Sequence, residues 1–147
     1  MKRPSTPKKD IYKYFIRIET RWNDNDSYGH VNNAIYHEYM DTVVNNFLIE
    51  HKITNSSESS PIGFVVSNSC TYFRPVKYPD TLNIGLRIIK IGKSSVTYDV
   101  GIFKNNESEA SARGTYVHVY VDKKMKKPIC ISDKMKNKLN KISYLSN

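Results

Sequence analysis

The chain has 147 residues, 39% hydrophobic and 12% aromatic, which suits one domain with a buried core and argues against a disordered chain. Its net charge of +9 sits at the two ends. Residues 1–20 carry six Lys/Arg against two acids and residues 123–147 carry eight Lys against one, whereas the stretch between holds nine basic and eleven acidic residues. Such a body lacks the basic, aromatic-interleaved face of a nucleic-acid reader, and no apolar run is long enough to span a bilayer.

The first residues are basic but have no apolar stretch before Asp10, which predicts a cytoplasmic protein without a secretory signal, and residues 1–10 read as a basic tail. Residues 11–22 alternate, with Tyr12, Tyr14, Ile16, Ile18 and Trp22 on one side, and predict a half-buried strand. Residues 23–29 are turn formers throughout. From Asn33 the period becomes 3.6, with Tyr36, Tyr39, Met40, Val43, Val44 and Phe47 on a broad face, and predicts a helix to about residue 51 capped by Asn32 or Asn33. After a Ser-rich loop at 55–61, residues 63–73 read as a strand. Leu82, Ile84, Leu86 and Ile88 mark the next; Val96, Tyr98, Val100 and Ile102 mark another; residues 109–121 form the last, and short turns join these three as an antiparallel meander. Ser132 is placed to cap a short final helix with Met135, Leu139 and Ile142 on one face. The order predicts a single α+β domain over residues 11–142, one helix against a five-stranded, mostly antiparallel sheet, with 143–147 as a C-terminal tail. Cys70 and Cys130 are far apart, lack metal-ligand spacing and read as reduced thiols.

The chemistry concentrates in Asp24-Asn25-Asp26-Ser27-Tyr28-Gly29-His30-Val31-Asn32-Asn33. Two carboxylates, a glycine and a histidine stand before a helix N-terminus, where backbone N–H groups are free and the dipole is positive. Splitting a thioester needs donors for the developing oxyanion and a group that attacks carbon or activates water. A helix start supplies the first and a nearby carboxylate the second. Asp24 and Asp26 are also ordinary turn and capping types.

This segment resembles the hotdog thioesterases of the 4-hydroxybenzoyl-CoA thioesterase type, matching Asp-x-Asp-x-x-Gly-His-Val-Asn-Asn-x-x-Tyr at every fixed position from Asp24 to Tyr36. The likeness continues through Tyr72, Pro75 and Asp80, and into the last strand from Gly114 to Asp122. It implies a hotdog fold, a long central helix wrapped by the sheet, and hydrolysis of an acyl-CoA or acyl-carrier-protein thioester. Asp26 matches the family's catalytic carboxylate, as nucleophile or general base, and Asn33 the position whose backbone N–H polarises the carbonyl. Plant acyl-carrier-protein thioesterases are similar here, and through that likeness His30 joins the catalytic candidates, although they carry Asn where this chain has Tyr28. Asp24 reads as a loop-holding residue. Tyr28, Arg74, Lys77 and Lys93 are candidate substrate contacts, the cations for CoA phosphates. The resemblance implies no metal and no cofactor beyond the CoA or pantetheine of the substrate, and a homodimer or homotetramer with sites between subunits. A non-catalytic acyl-CoA-binding module on the same fold is the alternative.

Overall fold

The computed structural model describes residues 5–143. Its main elements are β1 (Tyr14–Glu19), α1 (Asn33–Glu50), β2 (Ile62–Tyr72), β3 (Thr81–Ile91), β4 (Ser95–Lys104), β5 (Ala112–Val121) and α2 (Asp133–Leu139). The strands form one sheet in the order β1-β3-β4-β5-β2, every neighbouring pair antiparallel. This is the hotdog arrangement. No helix among the described residues is long and apolar enough to cross a membrane.

Both ends of α1 follow from local chemistry. The Asn32 side chain accepts from the Ala34 N–H at 2.9 Å, satisfying one of the helix's unpaired donors. At the other end Lys52 takes the left-handed conformation, φ 56°. There the Ile53 N–H reaches the Leu48 carbonyl and the Lys52 N–H the Ile49 carbonyl, while Ile53 and Leu48 are both buried. That is a Schellman termination with lysine at the position usually given to glycine. Between the caps lie no Gly and no Pro, and Tyr36, Tyr39, Met40, Val43, Val44, Phe47 and Leu48 are buried.

The inner face of the sheet, the one α1 covers, carries the alternate residues Leu82, Ile84, Leu86 and Ile88 of β3 and Val96, Tyr98, Val100 and Ile102 of β4 in one core with the helix. The outer face departs from expectation. Strand β1 is shorter than residues 11–22, because the chain on both sides of it forms single 3-10 turns. Tyr12 therefore does not share a side with Tyr14 and Ile16. It crosses to the outer face, where it is buried with Phe103 and Ala110, and its hydroxyl donates to Asp99 at 3.1 Å. Asp99, 1% exposed, also receives Arg87 and Arg113. Trp22, expected on the buried side, is 77% exposed and meets the Tyr78 ring edge-on.

Residues near the ends expected as tails take part in packing. The Lys9 N–H donates to the Ser108 carbonyl and the Ala110 N–H to that of Pro7, and Ser143 is buried in a bridge with Ile88. The remaining tail positions, 1–4 and 144–147, lie outside the described residues.

Tyr12 fits because Gly85 and Gly101 have no side chains. A Cβ at Gly101 would stand 2.5 Å from the Tyr12 ring. Gly101→Val should unseat that ring and cost about 1–3 kcal/mol, the usual penalty of overpacking. Urea unfolding measures it, and an unchanged midpoint would contradict the seating of Tyr12.

Candidate active site

The loop from Arg21 to Asn32 is stitched to its surroundings before any substrate arrives. The Val31 N–H donates to the Val76 carbonyl at 2.7 Å, the Asn32 N–H to the Asp24 carbonyl at 2.9 Å, and the Tyr78 N–H to the Asn25 side chain at 3.1 Å. Gly29, φ +84°, lets the chain turn tightly enough for its N–H to reach the Asp26 carbonyl.

The two carboxylates have different surroundings. Asp24 is 1% exposed. It accepts the Arg21 backbone N–H at 2.9 Å, the Arg21 guanidinium at 3.0 and 3.1 Å, and the Tyr39 hydroxyl at 2.7 Å. Burial alone would raise its pKa, but those donors outweigh it and hold the carboxyl below its ordinary value of 3.8. The same contact, with burial as the larger cause, pushes the Tyr39 phenol well above its usual range. Asp24 is thus a fastener between loop and helix.

Asp26 is half-buried. One carboxylate oxygen accepts the Tyr28 N–H at 2.9 Å and the other lies 3.4 Å from the Asn32 amide nitrogen. Its backbone N–H is held by the His30 carbonyl at 2.9 Å. The carboxylate is oriented but keeps lone pairs free, as an attacking or proton-accepting group requires. The Asn32 that Asp26 approaches caps α1, whose first backbone N–H, on Asn33, has no acceptor among the described residues, whereas Ala34 and Ile35 donate to Asn32. A free donor at the positive end of an 18-residue helix is a place for developing negative charge.

A cavity of about 240 Å³ opens at this helix start, lined by Val31, Asn33, Tyr36, Tyr72, Phe73, Arg74 and Pro75. Tyr72 had no role in the sequence reading. It donates its hydroxyl to the Asn33 carbonyl and packs edge-on against Tyr36 at 4.9 Å, so the end of β2 fixes the helix start. Its position in the matched Tyr-x-x-Pro segment was the only signal of this, and that signal says nothing of what the hydroxyl reaches.

The other expected site residues scatter. Tyr28 is 86% exposed at the loop tip, and His30 is exposed, its ring without a hydrogen bond among the described residues. Arg74 lines the cavity but is ion-paired with Glu107 and Glu109. Lys77 is exposed near the loop, its backbone N–H donating to Asp80. Lys93 lies in the β3–β4 turn, at the far end of β3 from Thr81 and hence from Asp26. A single protomer brings Asp26, Asn33 and Arg74 to one end of the sheet and leaves Lys93 at the other.

Removing the fastener should be visible as pH-dependent stability. Because the folded pKa of Asp24 is depressed, its contribution is present above the ordinary value and is lost as pH falls through the depressed one. Asp24→Ala should cost about 2–3 kcal/mol at neutral pH, with the gap to the native chain closing at pH values below about 4. Urea titrations at pH 7 and pH 3 measure this, and equal stabilities at pH 7 would exclude the role.

A family model described as the thioesterase-like superfamily matches residues 20–139. The PA5185 protein of Pseudomonas aeruginosa strain PAO1 superposes with a TM-score of 0.90 at 39% identity, over 97% of this chain and 100% of its own. An uncharacterized protein of Bacillus subtilis (strain 168), YsmA, is 29% identical over 132 residues, 89% of this chain and 88% of its own length. The 1,4-dihydroxy-2-naphthoyl-CoA thioesterase Slr0204 from Synechocystis shares the fold, with a TM-score of 0.76 at 16% identity over 86% of this chain and 94% of its own.

Proposed function

The chain belongs to the thioesterase-like superfamily and is a thioester hydrolase, and we propose that it cleaves acyl-CoA thioesters with Asp26 as the catalytic carboxylate. The observation that carries this reading is the pairing of an oriented, half-buried Asp26 carboxylate with the unpaired Asn33 N–H at the start of α1. The substrate's carbonyl oxygen accepts from the Asn33 N–H, and the helix dipole favours the charge that grows there. In one course Asp26 takes a proton from a water that attacks the carbonyl carbon, the carbon–sulfur bond breaks and the thiolate takes up that proton. In the other Asp26 itself attacks, the thiolate leaves, and water then hydrolyses the resulting mixed anhydride to the free acid and the restored carboxylate, its proton passing to the thiolate. The acyl group enters the cavity beside Tyr36 and Tyr72.

Asp26→Asn keeps size and most hydrogen bonds but removes the charge. Losing a general base costs about 10²–10⁴-fold in kcat, with KM little changed, in assays over a panel of acyl-CoAs. Near-native kcat with the fold intact would end this mechanism and favour a non-catalytic acyl-CoA-binding module. Hydrolysis of acyl carrier protein in preference to acyl-CoA would retain the carboxylate and change the substrate.

The proposal includes a homodimer. Strand β2 is an edge of 11 residues, without a charge or a proline, and Phe64, Val65 and Val66 are 42%, 42% and 58% exposed. Long, uncharged edges are unusual in monomers because their unpaired N–H and C=O groups template pairing. Two β2 strands side by side would extend the sheet across a twofold axis and cover those side chains. Replacing Val66 and Asn68 together by Lys places like charges across that axis and should shift elution from dimer to monomer. A monomeric native protein at micromolar concentration would contradict the pairing.

A further inference from the structure

The basic C-terminal run, eight Lys against Asp133 alone over residues 123–147, has no part in the site described so far. The fold exposes it at one end of the sheet, first on the turn that leaves β5. Asp122 organises this turn. Its side chain accepts the Lys124 and Met125 N–H groups at 3.1 and 3.3 Å, its carbonyl accepts the Lys126 N–H at 2.8 Å, and its own N–H reaches the Lys127 carbonyl at 2.9 Å. Lys126 takes the left-handed conformation, φ 58°, and lies over the Phe64 ring at 5.9 Å. The side chain held out near the tip is Met125, 65% exposed, with Lys124, Lys126 and Lys127 exposed around it. A single exposed apolar side chain is ordinary. The informative point is its setting, on a hydrogen-bonded turn where every other residue from 123 to 127 is a lysine.

Helix α2 adds to the same end. It buries Met135 and Leu139 and turns Lys134 and Lys136 outward. Turn and helix are tied to one loop: Lys123 donates to the Asn55 and Ser57 carbonyls, and Lys138 to the Lys52 carbonyl just before that loop. Beside Lys52, Ile49 near the end of α1 is 64% exposed. The acids here are Glu58 in the loop, Asp122, whose carboxylate is taken by the turn, and Asp133 in the first turn of α2. None of Lys124, Lys126, Lys127, Lys134 and Lys136 is ion-paired among the described residues. Unpaired ammonium groups around an apolar tip match a bilayer with anionic headgroups. The lysines meet lipid phosphates while the tip enters the apolar layer beneath them. An acidic protein or a nucleic acid would satisfy the charges but offers no fluid apolar layer to a convex tip. The acyl cavity stays clear of such a contact, because Asn33 lies at the other end of α1, about 27 Å away at 1.5 Å per residue.

We propose that the turn from Asp122 to Lys127, with the outward lysines of α2, docks the protein on an anionic membrane surface and inserts Met125 beneath the headgroups. The test is co-sedimentation of the full chain with vesicles of phosphatidylglycerol and phosphatidylcholine, against vesicles of phosphatidylcholine alone. Two variants are compared with the native protein, Met125→Ser and Lys124→Ser/Lys126→Gly/Lys127→Ser. No hydrogen bond of the turn uses these side chains, and Gly suits the left-handed backbone at position 126, so the fold is kept. Unchanged urea midpoints check it. The native protein should sediment with the anionic vesicles and not with the neutral ones, and less so as salt rises above about 0.1 M. The triple variant should lose about a hundredfold in partitioning, and Met125→Ser roughly fivefold or more. Absence of binding to the anionic vesicles, equal binding to the neutral ones, or native partitioning in either variant would overturn the proposal. Native partitioning in Met125→Ser alone would mark a general polycation, open to acidic proteins or nucleic acid. None of these readouts involves thioester hydrolysis, so the membrane surface and the catalytic reading stand or fall separately.

Discussion

Asp24 sits at 1% exposure, and a buried carboxylate is tolerable only when its oxygens are filled with donors. Here they are filled from two directions, by Arg21 at the start of the loop and by the Tyr39 hydroxyl well inside α1. The loop therefore cannot shift relative to the helix without stranding a charge. Everything proposed for catalysis depends on that distance. Asp26 follows two residues after the fastener and Asn33 opens the helix to which the fastener is tied. The loop's second carboxylate is the one left with free lone pairs. The same sequence spacing thus yields one structural and one chemically available carboxyl group, separated by what surrounds them rather than by their type.

The sheet meets its surroundings in three ways, and each bears on function. Its inner face is closed by α1 and α2, which makes the core. Its outer face is partly closed by the N-terminal arm through Tyr12, the Gly85 and Gly101 gaps and the Asp99 cluster with Arg87 and Arg113. The β2 edge is open and uncharged, with Phe64, Val65 and Val66 exposed along it. The Tyr72 end of this edge meets the start of α1, where the Tyr72 hydroxyl donates to the Asn33 carbonyl, so the proposed pairing of β2 strands would lie beside the proposed site.

Much of this was legible in the residue order. The alternation of Leu82 to Ile88 and of Val96 to Ile102, the 3.6-residue spacing of α1 and the caps Asn32 and Ser132 all appear where expected, because each is decided by the backbone geometry of a few neighbouring residues. The motif from Asp24 to Tyr36 likewise pointed to one loop and one helix end, since its parts are adjacent in the chain. Alternation, however, carries no information about where a strand stops. For that reason Tyr12 and Trp22 were placed on the wrong surfaces: the chain leaves β1 at each end before the pattern does.

Long-range partners were beyond reach for a different reason. Arg74 is satisfied by glutamates 33 and 35 residues away, which local charge pattern cannot announce. Strand order is β1-β3-β4-β5-β2 and not chain order, so the exposure of β2 and the separation of Lys93 from Asp26 exist only once the sheet is assembled. By itself the sequence determined the periodic elements, their caps and the candidate loop before α1, all local matters of backbone spacing and side-chain type. Which carboxylate is buried, which cations are already paired and which edge is left open were decided by the tertiary structure, because burial and pairing depend on residues that only folding brings together.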